Sequence, residues 1–261
     1  MLSGLLLPAI LAVLLAAVAT GVVSVLAVSN RMVSLGGGLA HAAYGGVGLA
    51  FLAGLAPLPT TIAFTVAAAL LMSFLVERSP EKAEVLLGVV WALGMAFGVI
   101  CVDLSDSYAG DLQSILFGSL LAIPRVDLWA LAAADVLLVV LAWRFRRGLL
   151  GMALDSEFAE VAGFPVRWFR TGLLVALSVS VVLLMRVTGL VLLVALLSIP
   201  GALGVRSSRH MGRAMLVAGL LAAFFGLAGL GLSWWLDLST GACVIGVAGV
   251  VYLATLLRRN P

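Results

Sequence analysis

One histidine in this sequence, His41, lies inside an apolar segment, where its imidazole could bind a metal ion. The segment runs from Gly36 to Gly54, reads GGGLAHAAYGGVGLAFLAG, and contains seven glycines in nineteen residues. On a helix, Gly37, His41 and Gly45 are spaced i, i+4 and i+8 and share one stripe. Such a stripe permits close helix packing, or it can line a narrow pathway with bare backbone and one imidazole. Because an ionisable group in a membrane is costly, we predict a function for His41.

Three carboxylates lie in or next to the polar connection formed by residues 103–125. They are Asp103, Asp106 and Asp111. Carboxylates grouped at the entrance of a pathway would attract cations and suit hard or borderline metal ions. An ordinary solvated loop is the alternative.

Asp135 lies deep within the apolar stretch LWALAAADVLLVVLAW. An ionised carboxylate there costs about 2.5–3.5 kcal/mol on insertion scales unless it is paired. We therefore expect Asp135 to pair with Arg186 or to be protonated. A place on a transport path is the alternative.

The connection between Arg144 and Arg170 contains an amphipathic pattern that predicts one helix over 149–162. One face would carry Leu150, Leu154, Phe158 and Val161, with Asp155, Glu157 and Glu160 elsewhere. Gly163 and Pro165 would end the helix. Helices that lie on the inner leaflet prefer basic polar faces, so this acidic one favours docking to a protein partner.

The composition predicts an all-α polytopic membrane protein. Hydrophobic residues make up 64% of the 261, charged residues 10%, and the mean hydropathy is +1.25, whereas soluble domains have about 25% charged residues. Nine apolar segments approach the ~20 residues of a spanning helix, although eight spans are possible if one segment is re-entrant. They are 5–27, 36–54, 59–76, 84–102, 126–143, 170–185, 188–204, 213–235 and 241–257. Pro200 in the seventh predicts a break or kink there. We expect residues 1–261 to form one permease domain.

The basic residues predict the orientation. With the N-terminus outside and the C-terminus in the cytoplasm, 13 of the 15 Lys and Arg residues fall in cytoplasmic connections. Arg125 and Arg186 are the two that fall outside. This distribution satisfies the positive-inside rule at each connection.

The sequence lacks the common catalytic motifs. It has no GxxxxGK[ST] phosphate loop, HExxH, CxxC or GxSxG. The net charge of +3 is explained by the cytoplasmic loops and indicates no nucleic-acid partner. We therefore expect no enzyme activity in this chain, and any pump would take its energy from another subunit.

Four segments together resemble the permease subunit of ATP-binding-cassette importers of zinc, manganese and iron. They are MVSLGGGLAHAAYGGVGLAF at 32–51, DLQSILFGSLLAI at 111–123, LDSEFAEVAGFPV at 154–166 and TGLVLLVALLSIPGALG at 188–204. They occur in the family's order and cover most of the chain.

The resemblance implies a homodimer of permeases in the inner membrane of a prokaryote. Two cytoplasmic ATPase subunits would drive transport, and an extracytoplasmic solute-binding protein would deliver the ion. The cytoplasmic loop at about 145–169 would hold the coupling helix. Its ATPase contacts would be Leu154, Asp155, Glu157, Phe158, Glu160 and Gly163. No cofactor would be bound permanently, because the divalent metal ion is the cargo.

The resemblance also implies an intramembrane metal site, formed in the family by an aspartate four residues before a histidine. His41 matches the histidine, but the aspartate position is Gly37 here. Tyr44, Asp135 or backbone carbonyls could supply oxygen ligands instead. The metal remains open among zinc, manganese and ferrous iron. A permease for metal chelates, of siderophore or cobalamin type, and a membrane scaffold without transport are the alternatives.

Overall fold

The computed structural model describes residues 2–105 and 123–257, without the side chains of residues 2–6 and 80. This part is helical, with eleven α-helices and a short 3-10 turn at Pro80–Lys82. In chain order the helices are α1 (Leu2–Ser29), α2 (Val33–Ala53), α3 (Pro57–Arg78), α4 (Ala83–Asp103), α5 (Arg125–Arg144), α6 (Arg146–Leu154), α7 (Ser156–Val161), α8 (Val166–Thr188), α9 (Leu190–Ser207), α10 (Met211–Leu236) and α11 (Thr240–Leu257).

Nine of the described helices are long and apolar enough to cross a membrane. They are the nine predicted from hydropathy, and the remaining two, α6 and α7, are short. The prediction of an all-α polytopic membrane protein is thereby confirmed. The side on which each terminus lies stays a prediction.

The chain divides into two compact units. The first contains Met1–Asn30, Ser114–Arg146 and Leu183–Pro261, and the second contains Arg31–Gln113 and Arg147–Val182. Helix α8 contributes its first part to the second unit and its last residues to the first. That the chain acts as one permease domain stays a prediction.

In the first unit, α1 packs against α5, α9 and α10, and α11 packs against α9 and α10. Glycine allows the α1–α10 contact to be very close. A Cβ placed on Gly21 would lie 2.9 Å from the Cα atom of Gly219. Close backbone approach through small residues is how membrane helices gain packing energy without a hydrophobic driving force.

In the second unit, α2 packs against α3 and α4. A Cβ on Gly45 would lie 2.9 Å from the carbonyl oxygen of Gly94 and from the Phe64 ring. Gly48 packs in the same way against Gly98. The glycines of α2 therefore fix its distance from α4, and so the position of His41 relative to that helix.

Of the break or kink predicted at Pro200, the break is not present, and the kink stays a prediction. Helix α9 continues from Leu190 to Ser207 with Pro200 inside it. The Ser198 hydroxyl donates a hydrogen bond to the Val194 carbonyl oxygen at 2.8 Å. A proline has no backbone N–H, so one carbonyl of the preceding turn loses its hydrogen-bond donor. A membrane helix can accept this loss where neighbouring groups satisfy the carbonyl. Both Pro200 and Gly201 are buried.

Candidate metal site and cytoplasmic loop

The His41 ring is held from within its own helix. Its Nδ1 atom lies 2.8 Å from the carbonyl oxygen of Gly37, one turn earlier on α2. A carbonyl oxygen can only accept, so Nδ1 carries the hydrogen and donates it. In the neutral ring, Nε2 then has the lone pair that a metal ion requires.

Trp91 of α4 holds the same ring from outside the helix. The ring centroids of His41 and Trp91 are 4.1 Å apart, with 36° between the planes. Aromatic pairs at this distance contribute about 0.5–1.5 kcal/mol beyond buried area. The imidazole is therefore fixed by one hydrogen bond and one ring contact. Sequence spacing did not reveal Trp91, because the contact depends on how α2 packs against α4.

The predicted stripe of Gly37, His41 and Gly45 has two different environments. Within the described part of the chain, a Cβ on Gly37 would meet nothing within 4 Å, whereas Gly45 is packed against α3 and α4. Tyr44 is buried, and its backbone and ring contact Gly98. On α2, the open space thus lies beside Gly37, one turn from His41, and not beside Gly45.

Within residues 2–105 and 123–257, no three His, Cys, Asp or Glu side chains come together in a group that could hold a metal ion. Among the described residues, His41 is therefore not part of a cluster of three such side chains, and its role as a metal ligand stays a prediction. A cation bound there would complete its coordination with backbone carbonyls, with water or with groups outside that part.

Arg186 pairs with Asp127 and not with Asp135, which corrects the expectation from the sequence. Its Nε and Nη2 atoms donate to one carboxylate oxygen of Asp127 at 3.0 and 2.9 Å. Asp127 and Asp135 are eight residues apart and both are buried on α5. Arg186 lies in the last turn of α8 and reaches the carboxylate in the first turn of α5.

Asp135 itself is 5% exposed, and among the residues that the structure describes neither of its buried carboxylate oxygens has a hydrogen-bond partner. It belongs to the first unit, whereas His41 and Tyr44 belong to the second. A buried carboxyl group without a partner in a spanning helix is a functional candidate by default. The predicted alternative, a place on a transport path, stays a prediction.

The predicted entrance carboxylates are described only in part. Asp103 is exposed at the end of α4. Asp106, Asp111 and most of the segment 111–123 lie outside the described residues.

The loop that the sequence predicts to be cytoplasmic forms two short helices instead of the single helix predicted over 149–162. Helix α6 ends at Leu154 and α7 begins at Ser156. The break occurs at Asp155, whose carboxylate oxygen accepts a hydrogen bond from the Phe158 backbone N–H at 2.9 Å and caps α7. Aspartate is a favoured cap because it satisfies a free N–H of the first turn.

The loop presents an apolar patch to its surroundings, which we call the loop patch. Leu154, Phe158 and Val161 are 78%, 70% and 87% exposed. Glu157 and Glu160 are exposed beside them, and Gly163 ends the loop helix with a φ of +86°. Ala159 and Met152, in contrast, are buried.

Comparison with known proteins assigns the chain to a family of membrane transport proteins. A model described as "ABC 3 transport family" matches residues 3–259. The chain belongs to the ABC 3 transport family. Membership confirms the resemblance seen in the sequence, and it makes the chain a transport component of a bacterial membrane.

Several known proteins are similar to the chain over nearly all of its length. An uncharacterized membrane protein of Synechocystis is 39% identical over 252 residues, which cover 97% of this chain and 90% of that protein. The manganese transport system membrane protein MntC of Listeria innocua is 27% identical over 240 residues, covering 92% and 85%. The solved structure of PsaBC from Streptococcus pneumoniae in complex with Fab has a TM-score of 0.86 at 25% identity, covering 96% and 90%.

Proposed function

We propose that this member of the ABC 3 transport family is the membrane-spanning permease of an ATP-driven importer of divalent transition-metal ions. The observation that carries the proposal is His41, an imidazole fixed by the Gly37 carbonyl and by Trp91 in a glycine-rich spanning helix. Imidazole is a common ligand of transition metals. A relative named as a manganese transport membrane protein supports the same reading.

A site at which His41 is the one nitrogen ligand and the other ligands are weak or shared suits a transport pathway better than a storage site. An ion must leave such a site as readily as it enters, so binding has to be weak or shared among several positions. Tyr44 is the candidate for an oxygen ligand on the same helix as His41, and Asp135 is a separate candidate ligand in the first unit. Asp103 would attract cations at the outer end of α4, together with Asp106 and Asp111.

The loop patch is the proposed contact with a cytoplasmic ATPase. Leu154, Phe158 and Val161 expose apolar area that a soluble surface seldom leaves open, and Glu157 and Glu160 supply charge beside it. ATP hydrolysis would then occur on a separate subunit. A solute-binding protein would deliver the ion from outside, and two copies of this chain would form the transmembrane part.

Uptake into proteoliposomes that contain the chain and its ATPase tests this function. ATP-dependent accumulation of zinc, manganese or ferrous ions is expected, and His41→Ala should abolish most of it. His210, the other histidine of the chain, is exposed at the N-cap of α10. His210→Ala is therefore the matched control and should transport normally.

The alternatives give different results in the same assay. A chelate permease would accumulate a siderophore-bound or corrinoid-bound metal and ignore the free ions. A scaffold would accumulate neither and would not alter the ATPase rate. Normal transport by well-inserted His41→Ala protein would remove the imidazole from the mechanism.

A further inference from the structure

A cavity of about 300 Å³ lies between the end of α3 and the start of α8, within the second unit. Two side-chain bonds join the helices across it. Arg167 Nε donates to a carboxylate oxygen of Glu77 at 2.8 Å. The hydroxyls of Ser73 and Thr171 share a hydrogen bond of 2.9 Å. The space is therefore bridged but not filled, and its volume is within the range of ligand pockets.

The lining of the cavity changes from charged to apolar along α3. Glu77 lies in the last turn, Ser73 one turn before it, and Leu70 nearly a turn deeper in the span. On α8, Arg167 and Trp168 lie in the first turn. Tryptophan and arginine at the end of a spanning helix are typical of the headgroup level of a bilayer. This order of charged, hydroxyl and apolar groups matches the order of groups in a phospholipid.

The Arg167 guanidinium has hydrogen-bond donors left over. Among the described residues it bonds to Glu77 alone, through Nε, so both Nη nitrogens have no partner there. The side chain is 73% exposed. The fork of N–H groups on an arginine matches the oxygens of a phosphate. Arg167 is therefore able to bind a phosphodiester while Glu77 holds its guanidinium in place.

A second guanidinium borders the cavity. Arg78 lies 4.3 Å from the centroid of the Phe74 ring, and Phe74 is one of the lining residues. Two arginines and one glutamate leave one positive charge at this end of the cavity. Basic pockets between spanning helices on the cytoplasmic side bind anionic lipid headgroups, and the sequence predicts these helix ends to be cytoplasmic. A headgroup with one negative charge balances the site, whereas a zwitterionic headgroup does not.

We propose that the cavity between α3 and α8 binds an anionic phospholipid, with phosphatidylglycerol as its occupant. The phosphodiester lies between Arg167 and Arg78. In the Ser73–Thr171 pair one hydroxyl donates to the other, and the hydrogen that remains is donated to an ester carbonyl of the lipid. An acyl chain follows the apolar side of the cavity at Leu70. This site goes beyond the proposed function, because lipid binding does not depend on which solute the protein transports.

Native mass spectrometry of the purified protein tests the site. The protein is stripped of lipid and offered equal amounts of phosphatidylglycerol and phosphatidylcholine with the same acyl chains. The wild type should retain roughly ten times more phosphatidylglycerol, the effect expected of hydrogen bonds to a charged group. Arg167→Gln and Arg78→Gln should each lose most of this preference. Arg206→Gln is the matched control and should keep it, because Arg206 is an exposed arginine in the last turn of α9, as Arg78 is in α3.

Glu77→Gln distinguishes a lipid site from a salt bridge that merely joins the two helices. It removes the negative charge beside the phosphate, so retention of phosphatidylglycerol should be unchanged or higher. A structural salt bridge predicts instead that Glu77→Gln loses as much lipid as Arg167→Gln, and that result would refute the site.

A competition experiment separates the lipid from free phosphate. Inorganic phosphate at millimolar concentration should not displace phosphatidylglycerol, because it has no acyl chain to lie along Leu70. Displacement would show that the cavity binds small anions and would overturn the assignment to a lipid. Equal retention of the two lipids by the wild type would overturn it as well, and neither result would affect the proposed metal transport.

Discussion

Arg186 donates two hydrogen bonds to a single carboxylate oxygen of Asp127, at 3.0 and 2.9 Å. The pair joins the last turn of α8 to the first turn of α5. Each charge also has the sign that favours its helix end, cationic at a C-terminus and anionic at an N-terminus. The carboxylate is buried, and the guanidinium is about one-third exposed.

Asp127→Asn should therefore destabilise the protein by about 1–2 kcal/mol, between the values for exposed and buried pairs. The expected result is a lower thermal midpoint in detergent, followed by tryptophan fluorescence. Asp237→Asn changes an exposed aspartate at the end of α10 in the same way and should leave the midpoint unchanged. Equal midpoints for both variants would show that the Arg186 pair adds nothing to stability.

Asp135→Asn, unlike Asp127→Asn, should lower metal uptake without lowering stability. Because neither carboxylate oxygen has a hydrogen-bond partner among the described residues, no such bond is lost, and the midpoint should be equal to or higher than that of the wild type. ATP-dependent metal uptake should fall, since the amide is a weaker cation ligand. Uptake at the normal rate would remove Asp135 from the proposed path.

Asp127 and Asp135 show which features of the fold could be predicted from the sequence and which could not. Hydropathy was sufficient to locate the nine spans, because each must be long and apolar. It also showed that an aspartate inside α5 needs an explanation. It did not show which aspartate Arg186 reaches, because two buried positions eight residues apart lie on one face, and helix packing decides between them.

The loop illustrates a second limit. The apolar spacing from Leu150 to Val161 fits one helix, and the sequence gives no interruption of that pattern. Asp155 nevertheless caps a new helix, because its side chain satisfies the Phe158 N–H better at a helix start than in a helix interior. Local hydrogen bonding therefore overrode the periodicity, and the single helix predicted over 149–162 is divided at Asp155.

The closely packed glycines of α2 should be sensitive to a single added methyl group. Gly48→Ala would place a Cβ against the Gly98 backbone, and overpacking of this kind costs about 1–3 kcal/mol. Gly88→Ala is the matched control, because Gly88 is also helical but a Cβ there meets nothing within 4 Å. The better helix propensity of alanine should add about 0.5–1 kcal/mol to the free energy of unfolding of Gly88→Ala, so its thermal midpoint should rise slightly. A loss of stability in Gly88→Ala equal to that in Gly48→Ala would contradict the close packing of α2 on α4.

Trp91→Leu should weaken metal handling by releasing the His41 ring. Loss of a ring contact worth 0.5–1.5 kcal/mol predicts a roughly threefold to tenfold rise in the KM for the metal, with a smaller change in maximal rate. Trp91→Phe should restore most of the loss. Phe97→Leu removes a different ring contact of α4, with Phe64, and serves as the control. Identical KM values in Trp91→Leu and wild type would show that Trp91 does not position the imidazole.

Changes in the loop patch should separate ATP hydrolysis from transport. Phe158→Ala removes exposed apolar area without touching the core, so insertion and thermal midpoint should be unchanged while metal uptake per ATP hydrolysed falls. Replacing Glu157 and Glu160 by lysine should also lower metal uptake per ATP hydrolysed, because the charge beside the loop patch is reversed.

Asp155 requires a different substitution because it caps α7. Asp155→Asn keeps a capping oxygen and should preserve the loop, whereas Asp155→Ala should cost about 1 kcal/mol through the lost cap. The measurement is the ratio of metal transported to phosphate released in the reconstituted complex. Full coupling in Phe158→Ala and in the double glutamate reversal would place the ATPase contact elsewhere on the cytoplasmic surface, since the loop patch would then be altered in both shape and charge without effect.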